Sequence, residues 1–133
     1  MPFQARQLVA ICGLVAMTNA ASAACAVDER ELKAKLGNAG FLIDDSLVPV
    51  SRPEPPKFPS VAVNWAIGGQ VDILQIIAPN GAVADRVVLC AEPFGYFQPN
   101  ALAWAKNFAF APLPKDVPEK YRVYFLTVRF KLR

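Results

Sequence analysis

The sequence predicts a small α+β domain in which helices pack on an antiparallel β-sheet with a ββαβ core. Three observations predict it. Two apolar runs, 69–78 and 82–89, flank the turn Pro79-Asn80-Gly81, which is typical of a β-hairpin. A helical pattern follows at 97–107. The last segment, 121–133, alternates apolar and polar side chains with a period of two, as expected of a strand with one buried face. We expect the helices on one side of the sheet.

The amino terminus carries an apolar segment. Residues 8–17 form an unbroken apolar run after Arg6, and the small residues Ala21-Ser22-Ala23 follow. This order is that of a secretory signal peptide, residues 1–23, and no stable membrane span should remain after cleavage. A membrane anchor is the alternative, but a spanning helix needs about 20 apolar residues. A lipoprotein with Cys25 as the lipidated residue is a weaker alternative, because Ser22 stands where that signal has a branched apolar residue.

Residues 24–52 are expected to contain a short helix and a connecting segment. Asp28 is suited to cap the helix. Leu32 and Leu36 lie one turn apart on one face, and Gly37 favours a stop. A helix this short is marginal alone, so it must dock on another element.

A proline-rich arm opens the main domain, which we place at 53–133. Residues 51–59 hold four prolines in nine positions. Proline is excluded from helix interiors and from inner strands, so this stretch should be extended and polyproline-like. Residues 61–66, after Pro59, fit a helical turn.

Two cysteines, Cys25 and Cys90, remain once Cys12 leaves with the signal segment. An even number of cysteines in an oxidising compartment predicts a disulfide between them. Two buried thiols are the alternative. A disulfide would join the segment before the first helix to the end of the second strand.

The residue types offer little for catalysis. The chain contains no histidine, which removes the commonest general base and metal ligand. Gly68-Gly69 is no nucleotide-binding fingerprint, and Asp44-Asp45 fits a solvated turn better than an acid–base pair. The net charge of +3 comes without a cluster of cations, so nucleic acid is not an expected partner. We expect no catalytic residue, no cofactor and no metal ligand.

Six short motifs follow one another along residues 53–132. They are Phe58-Pro59, Gly69-Gln70-Val71, Asn80-Gly81, Cys90-Ala91-Glu92-Pro93, Phe108-Ala109-Phe110-Ala111-Pro112 and Phe130-Lys131-Leu132. In order and spacing they resemble the C-terminal domain of TonB, the periplasmic energy transducer of Gram-negative bacteria. The resemblance implies a non-catalytic periplasmic domain that docks a partner protein in transmembrane transport. In that family, the domain binds the TonB box of outer-membrane receptors by strand pairing. An envelope assembly protein that uses the fold for self-association is the alternative.

Two segments are the expected partner-binding sites. The arm is preformed and loses little entropy on docking, and a last strand at a sheet edge offers unpaired backbone groups. The expected residues are Pro55, Pro56, Lys57, Phe58 and Pro59 in the arm, and Phe125, Thr127, Arg129 and Lys131 in the strand. The strand's cations have a second interpretation, in which they only keep the edge from aggregating. The sequence also departs from the family pattern, because Pro55 stands where the family often has a glutamine.

Overall fold

The computed structural model describes Cys25 and residues 27–132, so the predicted signal segment lies outside the described residues. The elements in chain order are α1 (Glu29–Asn38), α2 (Ser60–Asn64), β1 (Gly69–Ile77), β2 (Val83–Glu92), α3 (Gln98–Ala105) and β3 (Arg122–Phe130). The strands form one antiparallel sheet in the order β2-β1-β3. The predicted α+β class and ββαβ core are confirmed, and β2 and β3 are the two edges.

The central strand β1 is buried on both faces, because its alternate side chains enter two different cores. Val71, Ile73 and Ile77 face one side, and Leu74 and Ile76 face the other. All five are fully buried. The helices therefore lie on both faces of the sheet, and the expectation that they share one side is wrong.

The larger core lies between the sheet and α3. Ala101 and Ala105 are buried on α3, and Ala62 is buried on α2. Phe108 and Phe110, in the segment after α3, are each 3% exposed, as their place beneath the sheet requires. Small residues on the helices let them approach the large apolar side chains of the strands closely.

The smaller core lies beneath α1 on the opposite face. Leu32 and Leu36 are fully buried against Leu74, Ile76 and Val123. This contact supplies the docking that so short a helix needs.

The ends of α1 follow from capping. The Asp28 carboxylate accepts a hydrogen bond from the Glu31 amide at 3.1 Å, as predicted. The helix runs one residue past Gly37 and ends at Asn38, and the chain then turns at Gly40, whose φ is +101°. Gly40 rather than Gly37 takes the left-handed conformation that ends a helix.

The proline-rich arm packs on the face that carries α3. The Phe58 ring makes edge-on contacts with Phe97 and Phe130, at 5.6 and 5.8 Å between centroids. The Asn100 side-chain amide donates to the Lys57 carbonyl at 2.7 Å. A side-chain donor on α3 therefore satisfies one carbonyl of the arm, whose pairing within the described residues is limited to an isolated bridge between Ser51 and Ala109.

Candidate protein-docking edge

The last strand, β3, forms a regular edge of the sheet. It pairs with β1 in unbroken register, from Gly69 opposite Phe130 to Ile77 opposite Arg122. On its outer side, Leu42 forms an isolated parallel bridge with Arg122. The Leu42 amide donates to the Tyr121 carbonyl at 2.9 Å. Beyond this bridge, no segment of the described chain pairs with the outer side of β3.

The hydrogen bond between Leu42 and Tyr121 shows which backbone groups of β3 point away from the sheet. Along an antiparallel strand, successive residues direct their N–H and C=O groups to opposite sides. The Tyr121 carbonyl points away from β1, toward Leu42. Because the register is unbroken, the groups of Phe125, Thr127 and Arg129 also point away from β1. These are three of the four strand residues predicted to contact a partner.

The other edge strand, β2, is less regular. Its pairing with β1 shifts between Asp72 and Ile73, and again between Ile76 and Ile77. Bulges of this kind bend and twist a strand, and edge strands that avoid pairing commonly carry them. The β3 edge is therefore the better template for an added strand.

Side chains on both faces frame the β3 edge. On the α1 face, Phe125 is half-buried, and the Lys33 ammonium lies 5.6 Å from its ring centroid. On the same face, the Thr127 hydroxyl donates to the Asp72 carboxylate at 2.9 Å. On the α3 face, the Arg52 guanidinium donates to the Tyr124 hydroxyl at 3.3 Å. In the middle of the edge, Lys33 thus lies on the α1 face and Arg52 on the α3 face.

Fixed charges lie near the beginning of the edge. Arg122 is 4% exposed and donates to the Ala111 carbonyl at 2.6 Å. Burial lowers the pKa of its guanidinium, and the nearby charge of Asp44 opposes this effect. Hydrogen bonds from the Ser46 hydroxyl and amide lower the pKa of Asp44, so both partners stay charged at neutral pH.

Lys33 is held over the edge by acidic neighbours. Its ammonium forms ion pairs with Asp45 at 2.9 Å and Glu29 at 3.5 Å. The hydrogen bond with Asp45 raises the pKa of Lys33 most, and Glu29 adds to this while burial opposes it. Both pairs are exposed, so they orient the side chain more than they stabilise the fold.

Two further exposed cations lie at the far end of the edge. Arg129 and Lys131 line an open hollow of about 460 Å³ with Gly68, Glu92 and Pro93. This hollow lies where β1 begins and where β2 and β3 end. An anionic group of a partner would therefore meet positive charge at this end.

The predicted arm residues divide into two groups. Phe58 and Pro59 are half-buried, and Phe58 packs on Phe130 at the end of β3. Pro55 and Lys57 are exposed, and Pro56 is half-buried. The structure thus brings the arm and the end of β3 together through Phe58.

Three residues at the edge were not predicted as site residues: Lys33, Leu42 and Arg52. Each reaches β3 from a distant part of the chain, so no local pattern marks it. The spacing of Leu32 and Leu36 nevertheless places Lys33 beside the docked face of α1.

The predicted disulfide is present. Cys25 and Cys90 are bonded, with 5.5 Å between their Cα atoms. The Asp72 carboxylate lies close to both sulfurs, but disulfide sulfurs are not the thiolates that bind metals. The bond links the chain before α1 to the β2 strand.

Within the described residues, no helix is long and apolar enough to cross a membrane. The described chain is a small α+β domain with one regular open edge, an arrangement typical of modules that bind an extended protein segment.

Comparison with known proteins defines the family. The family model of the Gram-negative bacterial TonB protein C-terminal matches residues 54–132. The solution NMR structure of the Pseudomonas aeruginosa TonB CTD is similar, with 26% sequence identity and a TM-score of 0.55. The match covers 71% of this chain and 94% of that one. No curated protein matches the chain. The chain belongs to the TonB C-terminal domain family, a non-enzymatic family of protein-interaction domains that is periplasmic in Gram-negative bacteria.

Proposed function

We propose that this domain docks a partner protein by accepting an extended segment of it as a fourth strand along the outer edge of β3. The observation that carries the proposal is the row of outward backbone groups at Phe125, Thr127 and Arg129, in a strand without bulges. Strand addition satisfies such groups and gives affinity through main-chain hydrogen bonds. The domain performs no chemistry of its own.

The partner is an outer-membrane receptor, and its segment is a TonB box. Family membership supports this choice, as does the charge of the edge. Arg129 and Lys131 are exposed at the end of β3, so an acidic side chain on the incoming segment gains attraction there. Each main-chain hydrogen bond contributes about 0.5–1.5 kcal/mol net, and exposed charge pairs add little. The affinity should be modest and should fall with added salt.

The arm and the edge act together. Phe58 fixes the arm beside Phe130. Pro55 and Lys57 stay exposed, so they can contact the part of the partner that extends past β3. Phe58 and Pro59 act mainly by holding this arm in place.

Amide hydrogen exchange tests the proposal. A receptor-box peptide at saturating concentration should slow exchange at Phe125, Thr127 and Arg129, and leave β2 unchanged. Unchanged exchange along β3 in the folded domain would contradict strand docking. Slowed exchange that depends on protein concentration, without peptide, would instead support self-association in an envelope assembly.

A further inference from the structure

The exposed apolar side chains are concentrated at one end of the sheet. Among the described residues, the seven exposed large hydrophobics are Val48, Val50, Val61, Val63, Trp65, Phe94 and Leu132. Five of these seven belong to segments that adjoin the end where β1 begins and where β2 and β3 end, so the distribution is not scattered. We call the exposed side chains of Val61, Trp65, Phe94 and Leu132 at this end the apolar rim. Val63 is left out, because residues two apart on a helix do not share a face.

Local structure places these segments there. α2 leads into β1, and the Ile67 amide donates to the Ala62 carbonyl at 2.8 Å, which keeps α2 beside the start of the strand. Phe94 lies in the turn after β2 and is 82% exposed. Trp65 directly follows α2 and is 75% exposed. Both rings project into solvent instead of closing over the core.

The charge at this end is mainly positive. Arg129 and Lys131 line the hollow of about 460 Å³ at the strand ends, with Glu92 as its acidic residue. The Glu92 carboxylate accepts a hydrogen bond from the Cys25 amide at 3.2 Å. Nearby on α1, Asp28 caps the helix and Glu29 pairs with Lys33. Glu92 keeps its negative charge and is exposed, so the hollow presents two cations and one carboxylate and is positive on balance.

We propose that the apolar rim and the hollow together form a surface that binds an anionic phospholipid bilayer. Tryptophan, phenylalanine and leucine beside lysine and arginine are the residues that proteins place at a membrane–water interface. Arg129 and Lys131 attract the lipid phosphates, while Trp65 and Phe94 enter the headgroup region.

The projecting shape favours a bilayer over an acidic protein. A protein partner is held by pockets in which aromatic anchors are enclosed. Here the two aromatic rings stand on turns, and the hollow between the strand ends is open. A fluid headgroup layer can surround side chains that project in this way. Binding would hold the strand ends toward the lipid and leave the β3 edge accessible from the side.

Tryptophan fluorescence and vesicle co-sedimentation test the proposal. The chain has two tryptophans, Trp65 and Trp104. The Trp104 ring packs edge-on against the Phe108 ring, with 4.8 Å between their centroids. In a Trp104→Phe variant, Trp65 is the reporter. Its emission should shift to the blue with phosphatidylcholine vesicles that contain phosphatidylglycerol, and much less with phosphatidylcholine alone. The unsubstituted protein should co-sediment with the same anionic vesicles, which keeps the test valid if Trp104→Phe fails to fold.

Variants separate the rim from the rest of the surface. Trp65→Ala or Phe94→Ala should lower the partition coefficient at least about tenfold. Lys131→Gln should lower it about fivefold. Val48→Ala and Lys115→Gln are matched controls and should leave it unchanged, since Lys115 lies at the opposite end beside the hairpin turn. The proposal is overturned if the protein does not co-sediment with anionic vesicles. It is also overturned if Trp65 mediates dimers in the absence of lipid, or if Trp65 is needed to bind an acidic peptide while vesicles are not bound.

Discussion

The Leu42 amide donates a hydrogen bond to the Tyr121 carbonyl at 2.9 Å, on the side of the last strand that faces away from β1. This contact occupies the beginning of the outer edge with a piece of the chain's own connecting segment. The contact also shows which backbone groups farther along β3 point away from β1, because the register with β1 has no shift. The part of β3 that is open to a partner therefore begins beyond the bridge between Leu42 and Arg122, and it includes Phe125, Thr127 and Arg129.

Replacing Thr127 by proline should abolish peptide docking and leave the domain folded. Proline removes the outward amide, and proline is tolerated on an edge strand when its nitrogen faces solvent. The matched variant, Val128→Pro, removes an amide that points toward β1 and should unfold the domain. Circular dichroism measures folding, and peptide titration measures docking. If the Thr127→Pro domain unfolds as the Val128→Pro domain does, the Thr127 amide points toward β1 and not outward.

Phe58→Ala should destabilise the domain by about 2–3 kcal/mol, somewhat less than the loss for a fully buried phenylalanine. The variant removes the edge-on contacts with Phe97 and Phe130. Pro55→Ala changes an exposed residue of the same arm and should leave stability nearly unchanged. Urea unfolding gives both values. Equal stability of the two variants would show that the arm is not anchored through Phe58.

Gly81→Ala should destabilise the domain by about 2–4 kcal/mol, from backbone strain and overpacking together. Gly81 has a φ of +92°, and a Cβ atom there would collide with the Phe110 carbonyl. Gly40→Ala is the control, because Gly40 has a similar φ of +101° and nothing lies within 4 Å of an added Cβ. It should cost only about 1 kcal/mol. Thermal unfolding compares the two variants. An equal loss of stability in both would show that the close approach of Phe110 to Gly81 does not add to the cost of the substitution.

Local signals predicted most of the elements, and long-range contacts account for what they missed. Pro79-Asn80-Gly81 marks the hairpin because its turn geometry is local. The pairing of Leu42 with β3 has no such mark, since it depends on the course of the connecting segment. The second core was missed for a related reason. Both faces of β1 are apolar, and the pattern of one strand does not show which helix covers which face.

The candidate site was also predicted only in part, because some of its features are local and others depend on long-range pairing. The period-two pattern of the last strand identified Phe125, Thr127 and Arg129 as one set of alternate residues. Whether their amides point toward a neighbouring strand depends on the sheet order, which the pattern does not contain. Phe125 also lies beneath Lys33 of α1, so its side chain is less open to a partner than its backbone. Its main chain, more than its ring, is the part proposed to dock a strand.

The last prediction concerns the disulfide that holds α1 to the sheet. Cys25 and Cys90 are 65 residues apart in sequence, so their bond greatly restricts the unfolded chain. Reduction, or a Cys25→Ser/Cys90→Ser double variant, should lower the free energy of unfolding by about 2–4 kcal/mol. Amide exchange at Leu32 and Leu36 should become faster, because α1 then depends on its apolar contacts alone. Exchange in the central strand β1 should change less. Thiol labelling of the unreduced, denatured protein is the control, and it should find neither Cys25 nor Cys90 free. Two labelled thiols in that sample would contradict the disulfide, and an unchanged unfolding free energy after reduction would show that α1 docks without it.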